Sequence, residues 1–325
     1  MAPALSVVLP MRDAAQWLPA VLAALVREWS TAFELIAIDD GSSDGSGALL
    51  ESLCDHWPRA RWQLLEGSGQ GVSAARNQGI AASRAPLIAF LDADDRPLAG
   101  RLSLPLQHLQ THPEHSHVHG GWWRCNAQGE LRHPVRPWQE GAGFSWRSVM
   151  EHKAVLPSAW TVRRDALLAV GGFDPSLKHS EDVELLLRLA AAGHQGAWIE
   201  TELVRYRIHD GNASGRLQPQ LQGLLTVMEQ QLKGQAASDQ AWVREQRYST
   251  TTWAVWQAWQ AGDPSHALEL LRQALKDCPY PLVRRPVHLI EVFARSSARI
   301  GDGFDRGALL SSNFWQQVEP LLLCR

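Results

Sequence analysis

The first ninety or so residues alternate between two spacings of apolar side chains. Leu5-Ser6-Val7-Val8-Leu9 is a short apolar run closed by Pro10, and Glu34-Leu35-Ile36-Ala37-Ile38 is a second that ends in Asp39-Asp40-Gly41-Ser42. Arg61–Leu65 and Leu87-Ile88-Ala89-Phe90-Leu91 follow the same pattern. Runs this short, bounded by turn residues, predict buried strands. Between them, residues 15–27 place Leu18, Val21, Leu22, Leu25 and Val26 on one helical face. Ser43-Asp44-Gly45-Ser46 offers short polar side chains to cap a second helix, and Gly71–Ser83 turns Val72, Ala75, Gly79 and Ile80 inward as a third. Strand–helix alternation with short links predicts an α/β fold, mainly a parallel sheet covered on both faces. Ligands of open α/β sheets bind outside the carboxyl ends of the strands. Asp39, Asp40, Asp92 and Asp94 all follow predicted strands and so fall on that rim.

From about residue 96 to 160 the pattern loosens, with predicted strands at Ser116–Gly121 and Val155–Val162. A helix begins near Ser180, with Val183, Leu186, Leu187 and Ala190 at helical spacing, and Ala197–Arg207 is a further strand. Beyond Gly215 the chain becomes helical, in amphipathic stretches over 217–233, 240–261 and 265–276 broken by Gly262-Asp263-Pro264 and Pro279. The predicted division is residues 1–215 and a helical region 216–325.

Asp92-Ala93-Asp94-Asp95 closes the fourth apolar run. Carboxylates crowded at the end of a buried strand repel one another unless a cation or a cationic partner sits there. Hard oxygen ligands suit Mg²⁺ or Mn²⁺, which commonly also take oxygens from a substrate phosphate. An acidic turn that merely solvates a strand end is the plainer alternative.

Composition narrows the field. The chain has 325 residues, 45% hydrophobic and 20% charged, as a globular protein does. A net charge of −3 supplies no basic field for nucleic acid, which is excluded as an expected partner. Cys54, Cys125, Cys278 and Cys324 are scattered without zinc spacing, which favours a reduced, cytoplasmic setting. No apolar stretch is long enough to span a bilayer, and the N-terminus lacks the basic lead of a signal peptide. Fifteen tryptophans against three tyrosines leave core, sugar platform and membrane interface open.

Four segments stand in one order: Ser6–Pro10, Ile38–Ser46, Gly71–Gly79 and Phe90–Asp95. Together they closely resemble family-two glycosyltransferases, inverting enzymes of the GT-A fold that use nucleotide-diphosphate sugars. The resemblance is strong over residues 5 to about 102 and scattered over about 160 to 214. It implies that Pro10, Arg12, Asp39 and Asp40 lie around the nucleoside, although Arg12-Asp13 departs from the family's frequent Tyr-Asn. Arg76 would approach the nucleotide or tie down the acids, as a planar guanidinium suits carboxylates. Asp92-Ala93-Asp94 corresponds to the DXD motif, with Asp94 on the metal, Asp92 on metal or ribose, and Asp95 behind them. Gly67-Ser68-Gly69 does not have dinucleotide-fingerprint spacing.

By the same resemblance, Glu181-Asp182, after Gly171-Gly172-Phe173-Asp174, supplies the general base, Asp182 first and Glu181 second. The residues alone read rather as a helix start, capped by Ser180 with acids at its positive end. His209, in Tyr206-Arg207-Ile208-His209, would approach the metal or diphosphate. Trp122, Trp123 and Trp160 would either line an acceptor cleft or pack in the core. The implied cofactor is Mg²⁺ or Mn²⁺. The implied donor is a UDP-sugar, with GDP- and dTDP-sugars open, and the implied acceptor is a glycan or lipid-linked sugar at the cytoplasmic membrane face. Peripheral membrane contact would use the face shared by Trp253, Trp256 and Trp259, which helix packing explains equally. Two rivals stay open: a scaffold that binds nucleotide sugars without turnover, and a sugar nucleotidyltransferase. The latter wants a glycine-rich basic loop where Pro10-Met11-Arg12-Asp13 stands.

Overall fold

In a computed structural model, residues 2–209, 211–212, 216–232, 236–299 and 303–323 are described. Asp210, Cys324 and residues 213–215, the last of them the predicted end of the first division, lie outside them. The chain divides into two compact units, Met1–Asn212 and Ala213–Arg325.

The described residues of the first unit form the strands β1 (Leu5–Met11), β2 (Phe33–Asp39), β3 (Trp62–Glu66), β4 (Leu87–Phe90), β5 (Arg96–Pro97), β6 (His115–Cys125), β7 (Leu131–Val135), β8 (Trp160–Arg163) and β9 (Gln195–Arg207). They form one sheet in the order β3-β2-β1-β4-β8-β6-β9-β5, with β7 paired to β6. The first four run parallel, as the alternation requires. From β8 onward the sheet is mixed: β8 is antiparallel to both β4 and β6, β9 is parallel to β6, and β5 is antiparallel to β9. The break falls where the periodic pattern loosened, and the strand expected at Val155–Val162 is shortened to Trp160–Arg163, because Pro157 starts a short 3₁₀ turn.

Among the described residues the sheet is flanked by the helices α1 (Leu18–Arg27), α2 (Ser46–Cys54), α3 (Val72–Ala82), α4 (Ser103–Thr111), α5 (Trp146–His152), α6 (Arg164–Ala169) and α7 (Glu181–Ala191). β1 is buried along its whole length, and its alternate residues Leu5, Val7, Leu9 and Met11 join Leu18, Val21, Leu22 and Leu25 of α1 in the main core. On α1, Val26 is exposed and Ala24 is buried instead. On α3, a side chain at Gly79 would lie 2.4 Å from Val8, so its glycine lets the helix sit directly on β1.

Two of the three tryptophans left open between acceptor cleft and core fall in the core. Trp160 is fully buried against Phe90, His117 and His119, and Trp122 lies inside β6 in a cluster with Leu156, Leu203 and Val204. Both are core residues, because β6 and β8 occupy the middle of the sheet.

The second unit contains α8 (Leu217–Leu232), α9 (Ala237–Gln260), α10 (Pro264–Leu275), α11 (Arg285–Arg299), α12 (Arg306–Ser311) and α13 (Asn313–Leu323). The α9–α10 turn follows from its sequence: Gly262 takes φ +77°, the Asp263 carboxylate accepts from the His266 amide, and Pro264 opens α10. Trp256 is buried with its Nε1 donating to Ser297 Oγ at 3.1 Å, and Trp259 packs on Phe293 and Phe314. Helix packing accounts for these two. No helix among the described residues is long and apolar enough to cross a membrane.

Candidate active site

The carboxyl ends of β1, β2 and β4 lie side by side, since Met11 pairs with Asp39 and Val8 with Phe90. Asp39 and Asp40 therefore meet the β4 acids on one rim. They are not equivalent. Asp40 is buried, and its two oxygens accept the Gly69 and Gly71 amides at 2.8 Å each, so it shapes the turn entering α3. Asp39 is half-buried and uses Oδ1 to accept the Ser42 amide. The β1–α1 loop is laced to the β2–α2 loop: Asp13, at φ +50°, accepts from the Ser43 amide at 2.7 Å, and the Ala14 amide donates to Ser46 Oγ. Pro10 is buried in β1 beside Ile38, whereas Arg12 is exposed at the loop tip.

At the end of β4, Asp92-Ala93-Asp94-Asp95 forms a turn closed by the Asp95 amide donating to the Asp92 carbonyl. Ala93 and Asp95 point inward and Asp92 and Asp94 outward, half-buried. The Asp95 carboxylate accepts the Arg207 amide, but its Oδ2 is buried with no hydrogen-bond partner among the described residues. Burial, with Asp94 and Asp92 adding to it, holds the Asp95 carboxyl well above the usual range. Asp94 Oδ2 lies 3.0 Å from His209 Nε2, and the Arg207 guanidinium donates to the Asp94 carbonyl. Arg207 also lies over the Trp17 ring at 4.4 Å, and Trp17 in turn packs on His209.

Arg76 is the hub between the strand ends and the later helix. It is buried, donates 2.7 Å to Asp92 and 2.8 Å to Glu181, and sits over the Phe173 ring. Burial works against its charge, yet Asp92 and Glu181 outweigh burial and hold the guanidinium above its usual value. Asn77, one residue on, exchanges two hydrogen bonds of 2.8 Å with the Phe173 backbone. Gly172 lies at φ +71°, and a side chain there would meet Asn77 Oδ1 at 2.5 Å. The Gly171-Gly172 pair is thus required for α3 to clamp the loop leading to α7.

The start of α7 differs from a simple cap. Ser180 adopts φ +62° and its side chain makes no capping bond, so the expected Ser180 cap is absent. Glu181 faces Arg76. Asp182 Oδ1 accepts its neighbour Val183's amide, and burial followed by the charge of Glu181 pushes its carboxyl up to about 7. A carboxyl titrating there is suited to taking a proton near neutral pH.

Arg101, a residue that the pattern did not single out, is buried beneath this rim. Its guanidinium donates to the carbonyls of Phe90, Ser158 and Trp160 and to Thr161 Oγ1, with no carboxylate bonded to it among the described residues, and burial, only partly offset by the charge of Glu28, pushes it down to about 9. It fixes β4 against β8. Ser158 then accepts the Asp92 amide at 3.0 Å. An isolated arginine carries no sequence signal, so only the packed structure reveals it.

The donor set can be tested against a divalent cation. No group of three or more His, Cys, Asp or Glu among the described residues is arranged to cage one. Asp94 and His209 supply two converging donors, which leaves the other positions to substrate oxygens and water, the usual habit of Mg²⁺. His209 Nδ1 accepts the Gly211 amide at 3.1 Å, so the neutral ring carries its proton on Nε2, toward Asp94. Ligation by His209 would require that proton to move, whereas Asp94 requires no change. The residues fit.

Residues 6–167 match the family model described as Glycosyl transferase family 2. The chain belongs to that family. Among curated relatives, an uncharacterized glycosyltransferase, YibD, of Escherichia coli is 36% identical over 91 residues, 28% of this chain and 26% of that protein. The pre-mycofactocin glycosyltransferase of Mycobacterium tuberculosis is 32% identical over 202 residues, 58% of this chain and 39% of the relative. These matches span about a quarter to two fifths of each relative's length. The GT-A fold is shared with solved structures of low identity. The mannosyltransferase PcManGT from Pyrobaculum calidifontis, in complex with GDP-Man and Mn²⁺, aligns over 99% of this chain and 86% of its own at TM-score 0.59 and 13% identity. S. aureus TarS 1–349 in complex with UDP-GlcNAc aligns over 93% of each chain at TM-score 0.57 and 13% identity.

Proposed function

We propose that this protein is a metal-dependent, inverting glycosyltransferase that moves a sugar from a nucleotide-diphosphate sugar to a hydroxyl of a glycan or lipid-linked acceptor. The observation that carries this is the convergence of Asp92, Asp94, His209, Arg76, Glu181 and Asp182 from four separated segments onto one rim of the sheet. The complexes with GDP-Man and with UDP-GlcNAc support a nucleotide-sugar donor and leave its base open.

In this reading Asp39, the carboxylate not consumed by the α3 turn, accepts from the base, with Pro10 and Arg12 bounding the nucleoside. Asp40 acts through the Gly69–Gly71 turn. Asp94 and His209 hold Mg²⁺ or Mn²⁺, with Asp92 beside them. When bound, the ion stabilises charge on the departing diphosphate. Arg76 keeps Asp92 and Glu181 in place while neutralising both. Asp182 accepts the acceptor hydroxyl's proton, and that oxygen attacks the anomeric carbon from the face opposite the diphosphate, giving inversion in one displacement. We assign this chemistry to residues 1–215, with 216–325 an added helical region, and place the protein in the cytoplasm, at the inner face of the membrane where the acceptor is lipid-linked.

The test is release of nucleoside diphosphate from UDP-, GDP- and dTDP-sugars with Mn²⁺ or Mg²⁺. Turnover of one donor, abolished by chelator and by Asp182→Asn, is the expected result. Binding of a nucleotide sugar without transfer or hydrolysis under any of these conditions would instead favour the scaffold.

A further inference from the structure

Beside the Asp94–His209 pair, the sheet edge carries positive charges that face one another. Arg96 on β5 is in register with Arg205 on β9, and Arg205 is in turn in register with Trp123 on β6. Directly opposed residues on neighbouring strands share a face, with about 5 Å between Cβ atoms, and like charges so placed are destabilising. Arg27 ends α1, which packs against β5. Among the described residues no carboxylate pairs with Arg27, Arg96 or Arg205, and Arg205 Nε is buried with no hydrogen-bond partner. Glu28, next to Arg27, is committed elsewhere, accepting the Gly100 and Ser103 amides.

A charge on an edge strand can serve only to discourage pairing with another chain, but one outward side chain suffices for that. Two arginines opposed across the pair, with a third at the end of α1, instead make an unneutralised cluster. Guanidinium forks match phosphate oxygens in shape and charge, so a phosphate would remove the repulsion and fill the unmet donors. Register adds an aromatic wall, because Trp123 lies beside Arg205, and Trp17 lies under Arg207 one pleat further toward His209. Arg96 itself follows Asp94 by two residues, so a phosphate held here would lie next to the transfer site rather than in it.

We propose that Arg96 and Arg205, with Arg27 at the end of α1, form an anion subsite for a phosphate group of the acceptor substrate. This rests on the transferase reading above. It narrows the acceptor to molecules that present a phosphate close to the hydroxyl receiving the sugar. The phosphate belongs either to a soluble phosphorylated glycan or to the headgroup of a lipid carrier.

The experiment uses the whole chain and the double variant Arg96→Gln/Arg205→Gln. Thermal stability is followed against inorganic phosphate with chelator present, and co-sedimentation is followed with phosphatidylcholine vesicles with and without phosphatidylglycerol. The wild type is expected to gain stability with phosphate or to sediment with the anionic vesicles in a salt-sensitive way, and the double variant to lose that gain. Binding of free phosphate without vesicle binding identifies a soluble source, and vesicle binding a lipid headgroup. Without ligand at low salt the double variant is expected to melt no lower than the wild type. Equal phosphate or vesicle responses in both proteins, or none in the wild type, would overturn the proposal. The nucleotide shift with Mn²⁺ is measured in parallel. Its loss in the double variant alone would move these arginines into the donor site, while its absence from the wild type would count against the transferase reading instead.

Discussion

The side chains of Asp94 and His209 meet at 3.0 Å although 115 residues separate them in the chain. The contact depends on β9 returning to the carboxyl-end rim, and on Arg207, which bonds both the Asp94 carbonyl and the Asp95 carboxylate. Asp94→Asn keeps the size and the hydrogen bond to His209 but removes the anionic oxygen. We expect that variant to fold with unchanged melting temperature and to lose metal-dependent nucleotide binding, with transfer falling roughly 100-fold or more. Isothermal titration with nucleotide and Mn²⁺ checks this.

Arg76 balances two partly buried acids. Arg76→Met leaves Asp92 and Glu181 unpaired, and breaking a buried ion pair in this way costs about 3–5 kcal/mol. Urea unfolding of Arg76→Met should show a loss of that order. Arg76→Lys should recover part of it, as one ammonium cannot form both 2.7 and 2.8 Å contacts with the same fork.

The elevated carboxyl of Asp182 gives a pH signature. Its ordinary value is 3.8 and its folded value about 7, so folding takes up a proton between those values. Stability from this group is therefore lost as pH rises from about 4 through about 7. The base form, in contrast, accumulates on the same rise, so transfer should increase about tenfold per unit up to about pH 7 and then level off. Asp182→Asn should abolish transfer yet melt higher than the wild type above that pH. A lower melting temperature for the variant there would contradict the assignment.

Acid should weaken the sheet's centre. His117 and His119 are fully buried, and burial pushes His117 down to about 3 and His119 well below 6.5. Neutral in the folded chain and protonated in the unfolded one, they favour unfolding as pH falls below 6.5, by about 1.4 kcal/mol per unit for each histidine. Comparing urea midpoints near about pH 7.5 and about pH 5.5 checks the slope. His119→Phe, which keeps an aromatic ring against Trp160, stacked at 4.9 Å in the wild type, should remove one histidine's share, about 1.4 kcal/mol per unit.

Much of this was legible in the sequence because short-range patterns decide it. The runs at Leu5, Glu34, Arg61 and Leu87 became β1–β4, and the acids that followed them reached the rim. Where several long-range contacts compete, the pattern was silent. β5 is two residues long, and α4 and β7 lie in the stretch where periodicity loosens. Asp39 and Asp40 are adjacent in sequence, yet only backbone amides from Gly69 and Gly71 distinguish the structural acid from its neighbour. Ser180 looks like a cap, but the Arg76–Glu181 bond and the Asn77 clamp set the entry into α7 instead. Arg101 and the opposed Arg96–Arg205 pair became visible only through packing and register.

The most direct measurement is the melting temperature of wild type and Asp94→Asn with a panel of nucleoside diphosphates and nucleotide sugars, each with and without Mn²⁺. The account predicts a metal-dependent rise for one nucleotide in the wild type and no metal-dependent rise in the variant. An unchanged melting temperature for the folded wild type with every nucleotide, or an equal metal-dependent rise in the variant, would contradict it.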